Sequence, residues 1–177
     1  MTIAYRKDSI NLIQMDTYWL SETPGLPATR YPDQSICPRV STEALFEDLP
    51  TKKVFRVVNT HLDHEGKGAR EQGLRQIMEK LEKASLFAQA PAIVTGDMNA
   101  EPDSPEMAVI KAYPAYKNMT EGIGITYHGY LRTEPPCSID YIFARGFACT
   151  KVEKWEDRKD GVFLSDHYPV CAELSFA

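Results

Sequence analysis

The sequence has no apolar run near the ~20 residues that a membrane-spanning helix requires. That excludes a helical anchor within these residues. Met1 to Asp8 carries neither a basic stretch nor a long apolar one, so no secretory leader is expected and the cytoplasm is the default compartment. The four cysteines, Cys37, Cys137, Cys149 and Cys171, form no C-x-x-C pair. A zinc knuckle is therefore not indicated, and buried free thiols are expected instead of a disulfide framework. There is no internal repeat and no low-complexity tract. Basic charge is not in excess: 20 Lys and Arg against 25 Asp and Glu leave a net charge of −5. Such a chain is poorly suited to holding duplex DNA by phosphate neutralisation alone. Apolar residues are not scarce, at 43% of 177 residues. That excludes a disordered tail and fits one domain over residues 1–177.

Periodicity supplies the elements. Ile10 to Trp19 reads as a strand, with Thr2 to Tyr5 as its hairpin partner across a turn at Lys7-Asp8-Ser9. Pro24, Pro27, Pro32 and Pro38, with Gly25, mark a long loop. Loops of that length in compact domains are often functional. Val40 to Phe46 alternates as a half-buried strand does, and Val54 to Asn59 is a buried-strand run. Leu74, Ile77, Met78 and Leu81 fall at i, i+3, i+4 and i+7, the stripe of an amphipathic helix. Ala92 to Thr95 is a short buried strand. Ser104 and Pro105 open a second helix as N-cap and first helical residue. Further strands are expected at Ile125–Tyr127, Ile139–Ala144, Phe147–Trp155 and Tyr168–Phe176. Asp157 to Asp160 reads as a solvated turn. The order predicts a mixed α/β layered domain in which two sheets pack together.

Polar residues gather where the buried strands end: Asn59 to His64, Gly96 to Pro102, Asp140, and Ser165 to His167. Sites in layered α/β folds form at such ends, where loops converge. Each cluster alone has a plain alternative, since Asn, Asp and His also satisfy turn backbones. Jointly they point to chemistry. Asp97 and Asn99 share one side if the chain is extended there, and would orient a water and a phosphoryl oxygen. Asp166 beside His167 offers a metal-binding carboxylate and an imidazole, which Asp140 could hold in one tautomer.

Four segments in order, N-T-H-L-D-H (59–64), G-D-M-N-A-E-P-D-S (96–104), S-I-D-Y-I-F (138–143) and S-D-H-Y-P-V (165–170), resemble the endonuclease/exonuclease/phosphatase superfamily of Mg-dependent phosphoesterases. T-Y-W-L-S-E-T-P (17–24) and T-Y-H-G-Y (126–130) extend the resemblance. It implies two packed mixed or antiparallel sheets flanked by helices, a four-layer sandwich. It also implies hydrolysis of a phosphoester by in-line attack of water, with Mg2+ or Mn2+ stabilising charge on the phosphoryl group.

By the same resemblance, Asp97 orients or deprotonates the water and Asn99 holds that water or a phosphate oxygen. His61 donates to the phosphate. His167, backed by Asp140, stabilises transition-state charge or assists the leaving group. Asp166 positions the metal or a metal-bound water. Arg39 is a candidate phosphate contact, its plain alternative being a surface charge. Tyr127 and Trp19 are candidates for stacking on substrate, with packing as the first expectation.

The sequence departs from the family pattern in lacking the early strand–helix–strand unit that ends in a metal-binding Gln-Glu. Glu22 and Glu65 do not match it. The chain is therefore expected to be an N-terminally truncated domain with weak Mg2+ affinity and exposed sheet edges that promote self-association. A non-catalytic phosphate-binding module is the alternative. Two other hydrolase classes fit less well. The segment 60–64 partly matches the zinc motif of metallo-β-lactamases but has Asp63 where a His is needed. Ser165, His167 and Asp140 would make a serine triad without a G-x-S-x-G elbow.

Overall fold

A computed structural model of the chain describes residues 1–83, 87–131 and 135–177. Six strands build the main sheet, and a helix makes the crossover between two of them. β1 (Ile10–Trp19), β2 (Val40–Asp48) and β3 (Val54–His61) form an antiparallel meander. From β3 the chain passes through α1 (Lys67–Lys83) into β4 (Ala92–Asp97), which pairs parallel to β3. A parallel neighbour cannot be reached by a tight turn, and a helix is the usual crossover. After a 3₁₀ turn at Pro105–Met107 come α2 (Ala108–Lys111) and the short β5 (Lys117–Asn118). β6 (Asp140–Arg145) then pairs antiparallel to both β4 and β5. The sheet order is β1-β2-β3-β4-β6-β5.

The stripe anticipated on α1 is the one it buries. Leu74, Ile77, Met78 and Leu81 are fully buried against Val58, Ala92 and Val94 of β3 and β4. Burying each such side chain is worth about 1.5–3 kcal/mol. On the opposite face of the sheet lies a second, two-stranded sheet of β7 (Phe147–Lys154) and β10 (Val170–Phe176). Phe147 and Phe176 pack their rings on Phe55 of β3, with centroids 6.0 and 5.7 Å away. The expected architecture, a mixed α+β fold of two packed sheets with helices, is the one observed.

Several local expectations need correction. Thr2–Tyr5 does not pair with β1. It crosses the face of the sheet, where the Met1 carbonyl accepts from the Thr42 hydroxyl at 3.1 Å and the Thr2 carbonyl from Asn59 Nδ2 at 2.9 Å. The Tyr5 ring meets Phe46 at 5.0 Å. β2 is accordingly buried on both faces, not one. Ser104 adopts the extended N-cap backbone, but its hydroxyl makes no cap bond. Ile125–Tyr127 is not a strand: only Tyr127 forms bridges, to Cys137 and to His167. Pro135 and Pro136 have no N–H with which to lengthen that ladder. Residues 157–160 are not a plain turn. β8 (Arg158–Lys159) and β9 (Val162–Phe163) form a small hairpin around Asp160 and Gly161, both at positive φ. The four cysteines are free as expected but not buried: Cys37 lies in the exposed proline-rich loop and Cys149 on the outer stretch of β7.

Candidate active site

Register alone places three of the expected residues side by side. His61 ends β3 and Asp97 ends β4, and the two are paired in the parallel ladder. Asp140 begins β6 and is paired with Asp97 in the antiparallel ladder. Neighbouring strands lie about 4.8 Å apart, so Asp97 stands between an imidazole and a second carboxylate. β4 reaches this position only because residue 96 is glycine. Gly96 has φ +147°, and a Cβ there would lie 2.0 Å from the Thr60 carbonyl oxygen.

His167 reaches the same point from the second sheet, just before β10. Its Nδ1–H donates to Asp140 Oδ2 at 2.8 Å, and its Nε2 lies 3.9 Å from Asp97 Oδ2. His61 Nε2 lies 3.3 Å from that same oxygen. One carboxylate oxygen thus sits between two imidazoles, one of them braced by a further carboxylate.

The electrostatics follow from burial and neighbours. Burial, reinforced by the nearby Asp140 charge, pushes the Asp97 carboxyl up to about 6, against the Asn99 N–H bond and the His167 charge that favour its ionised form. The hydrogen bond to Asp140 raises His167 above its ordinary value, with the Asp140, Asp97 and Asp166 charges adding to it. His61 moves the other way, down to about 4, through burial and then the positive charge of Arg39. At neutral pH the site pairs a neutral His61 with a His167 biased toward the cation.

The remaining candidates fall in varied places. Asn99 is close but not for the reason of alternation. Its backbone is left-handed at φ 47°, its N–H donates to Asp97 Oδ1 at 2.8 Å, and its Nδ2 donates to the Leu62 carbonyl at 3.0 Å. The half-buried ring of Tyr127 packs against His167 at 4.9 Å between centroids. Arg39 is not a free surface charge. Its Nε lies 3.4 Å from Asp63 Oδ2 and its Nη2 donates to His64 Nδ1 at 2.8 Å. Asp97, Asp140 and His167 can bring one ligand atom each within 4.8 Å of one another; among the described residues Asp166 lies outside that group. The Asp166 carbonyl accepts from the N–H groups of His128 and Gly129. Ser165 is a turn residue, its hydroxyl accepting from the His167 N–H at 3.1 Å. Glu22 lines a separate 960 Å³ cavity beside α1. Glu65 is exposed against His64.

Two residues that the sequence did not single out support the cluster. The buried Thr126 hydroxyl accepts from the N–H groups of Ile139 and Asp140 at 3.0 and 3.1 Å. Buried Asp63 holds the turn after β3. A threonine opening T-Y-H-G-Y, and an aspartate inside N-T-H-L-D-H, were the only signals available.

A model of the endonuclease/exonuclease/phosphatase family matches residues 18–167, which include every residue of this cluster. The chain belongs to that family. Solved structures agree. An endonuclease/exonuclease/phosphatase protein from Bacteroides vulgatus is 31% identical, with TM-score 0.88 over 98% of this chain and 69% of its own. The mannosyl-6-phosphatase of Bacteroides thetaiotaomicron is 26% identical, with TM-score 0.84 over 97% of this chain and 69% of its own. D. rerio TDP2, solved with a single-strand DNA product, is 18% identical and shares the fold, with TM-score 0.75 over 96% of this chain and 70% of its own. No curated protein sequence matches the chain.

Family membership supports a phosphoesterase in general, and the family is generally divalent-metal dependent. The donor set is compatible with such an ion. Mg2+ is commonly held by one or two carboxylates and keeps several waters. The repulsion between Asp97 and Asp140 is of the kind a bound cation relieves.

Proposed function

We propose that this chain hydrolyses a phosphoester by attack of water on phosphorus at the Asp97–His61–His167–Asp140 cluster. The observation that carries the proposal is the Asp97 oxygen set between two imidazoles, 3.3 Å from His61 and 3.9 Å from His167. A carboxyl raised to about 6 is ionised at neutral pH yet basic enough to take a proton from water. His167, whose proton the hydrogen bond to Asp140 favours, stabilises charge on the phosphoryl oxygens or protonates the leaving oxygen. Neutral His61 donates a hydrogen bond to a phosphoryl oxygen without neutralising Asp97. Asn99 holds Asp97 and closes the turn behind it. Mg2+ or Mn2+ would be held by the cluster's carboxylates, with Asp166, outside that group, left to a metal-bound water, and would neutralise phosphoryl charge.

The net charge of −5 favours small or single-stranded phosphoesters over duplex DNA. The test is hydrolysis of bis-p-nitrophenyl phosphate, p-nitrophenyl phosphate and mannose 6-phosphate with Mg2+ or Mn2+, comparing the chain with His167→Ala. Metal-dependent turnover that the substitution abolishes supports the proposal. No turnover by folded protein on any of the three overturns it. The second reading, a phosphate-binding module without turnover, is favoured by one observation: Asp140, one of two carboxylates in the cluster, already serves His167.

The second sheet has two strands, and among the described residues each pairs only with the other. Unpaired strand edges template association. Concentration-dependent dimers or larger species in light scattering are the expected outcome; a monomer across the concentration range would count against it.

A further inference from the structure

A single buried carboxylate ties the proline-rich loop to the turn after β3. Asp63 is 2% exposed. Its Oδ1 accepts from the N–H groups of Ser35 (3.0 Å), Glu65 (3.1 Å) and Gly66 (2.8 Å). Its Oδ2 accepts from the Ser35 hydroxyl at 2.5 Å and from Arg39 Nε at 3.4 Å. Its carbonyl accepts from Arg70 Nη1 at 3.0 Å, and Arg70 pairs with buried Glu106 at 2.6 Å. Burial alone would raise the Asp63 carboxyl. The hydrogen bonds from Gly66, Ser35 and Glu65 outweigh it and hold the group well below the usual carboxylate range. Asp63 is therefore an anion at every pH of interest, and five donors fix its position.

Arg39 is the residue this anion serves. Its side chain is only 14% exposed. Desolvating a guanidinium is costly unless a partner and hydrogen bonds compensate. Nε goes to Asp63 and Nη2 to His64, which fixes the plane of the group. Among the described residues Nη1 has no protein partner. The β2–β3 register pairs Ser41 with Thr60. Continued by two residues, it sets residue 39 opposite residue 62, between His61 and Asp63. The Arg39 charge accordingly adds to the lowering of His61 and opposes the raising of Asp97.

We propose that Asp63 is a positioning residue that fixes the Arg39 guanidinium so that Nη1 receives a phosphoryl oxygen of the substrate. The proposal rests on the phosphoesterase reading for the identity of the ligand. The plain alternative is that Asp63 only staples the loop. The two differ in how Asp63 and Arg39 couple. An interaction shared by two residues is lost once, so their effects on binding are not additive.

The experiment is a titration of inorganic phosphate into the full chain in chelator at low salt, followed by 31P NMR. Arg39→Ala, Asp63→Asn, the double variant and Arg39→Lys are compared after circular dichroism has established folding. Arg39→Ala is expected to weaken phosphate binding about tenfold, in line with the loss of one charged hydrogen bond. Asp63→Asn is expected to weaken it about three- to tenfold, and the double variant no more than Arg39→Ala alone. Arg39→Lys keeps the charge but not the fork that Asp63 holds, and should resemble Arg39→Ala. Unchanged affinity in folded Asp63→Asn, or multiplied effects in the double variant, overturns the proposal. If Asp63→Asn does not fold, Arg39→Lys decides: wild-type affinity there overturns it. None of these measurements needs turnover. Coupling without hydrolysis would sink the catalytic reading and leave this one standing, whereas hydrolysis without coupling would do the reverse.

Discussion

Asp97 carries the clearest consequence at the scale of a residue. Its carboxyl releases its proton near 3.8 in the unfolded chain and near 6 in the fold. Between those values the folded state holds a proton that the unfolded state has lost. Stability therefore falls as pH rises through that interval, and the loss is complete above it. Asp97→Asn removes the loss. In chelator at pH 7.5 it is expected to stabilise the fold by about 1–3 kcal/mol in urea unfolding while abolishing turnover. A stability unchanged from wild type would show that Asp97 is not desolvated as described. The rate profile should rise near pH 6 as Asp97 ionises and fall above pH 6.5 as His167, raised from that value, loses its proton. His61, lowered to about 4, adds no limb in that range. A rate that climbs steadily from pH 5 to 9 would remove His167 from any role as the cation.

At the scale of elements, the site depends on how closely β4 approaches β3. Gly96 is the contact point, since any Cβ there would clash with the Thr60 carbonyl. Gly96→Ala is expected to cost about 3 kcal/mol or more. It should also lower turnover in whatever fraction folds, because the His61–Asp97 pairing lies one residue further on. Thermal unfolding and an active-fraction measurement check both. The helix α1 was legible from its stripe because burial of one face at period 3.6 is a local property. β3, β4 and β6 were legible from apolar runs. The failures share a cause: Thr2–Tyr5, Ile125–Tyr127 and the β8–β9 hairpin take their pairing or burial from residues distant in the chain or from short turns, which periodicity does not report.

At the scale of the whole molecule, the cluster is shared between two sheets. His61, Asp97 and Asp140 stand on the six-stranded sheet, and His167 arrives from the lead-in to β10 in the other. Phe55 helps dock the second sheet through Phe147 and Phe176. Phe55 is half-buried, and Phe55→Ala is expected to destabilise the fold by about 1–3 kcal/mol. It should speed amide exchange along β10 and lower turnover, although Phe55 is not one of the cluster residues. Full activity with fast exchange at β10 would show that His167 is held independently of its sheet.

The residue types of the site, their order and the strand ends that carry them were all written in the sequence. Strand ends follow from local hydrophobic pattern, and the N-T-H-L-D-H, G-D-M-N, S-I-D-Y and S-D-H motifs are contiguous. Which side chains meet was not. Register between strands set Asp97 between His61 and Asp140, the packing of one sheet on another brought in His167, and Arg39 met the buried Asp63 carboxylate. Those are long-range contacts, chosen by the burial of whole faces and the pairing of backbone groups, and no local stretch of sequence contains both partners.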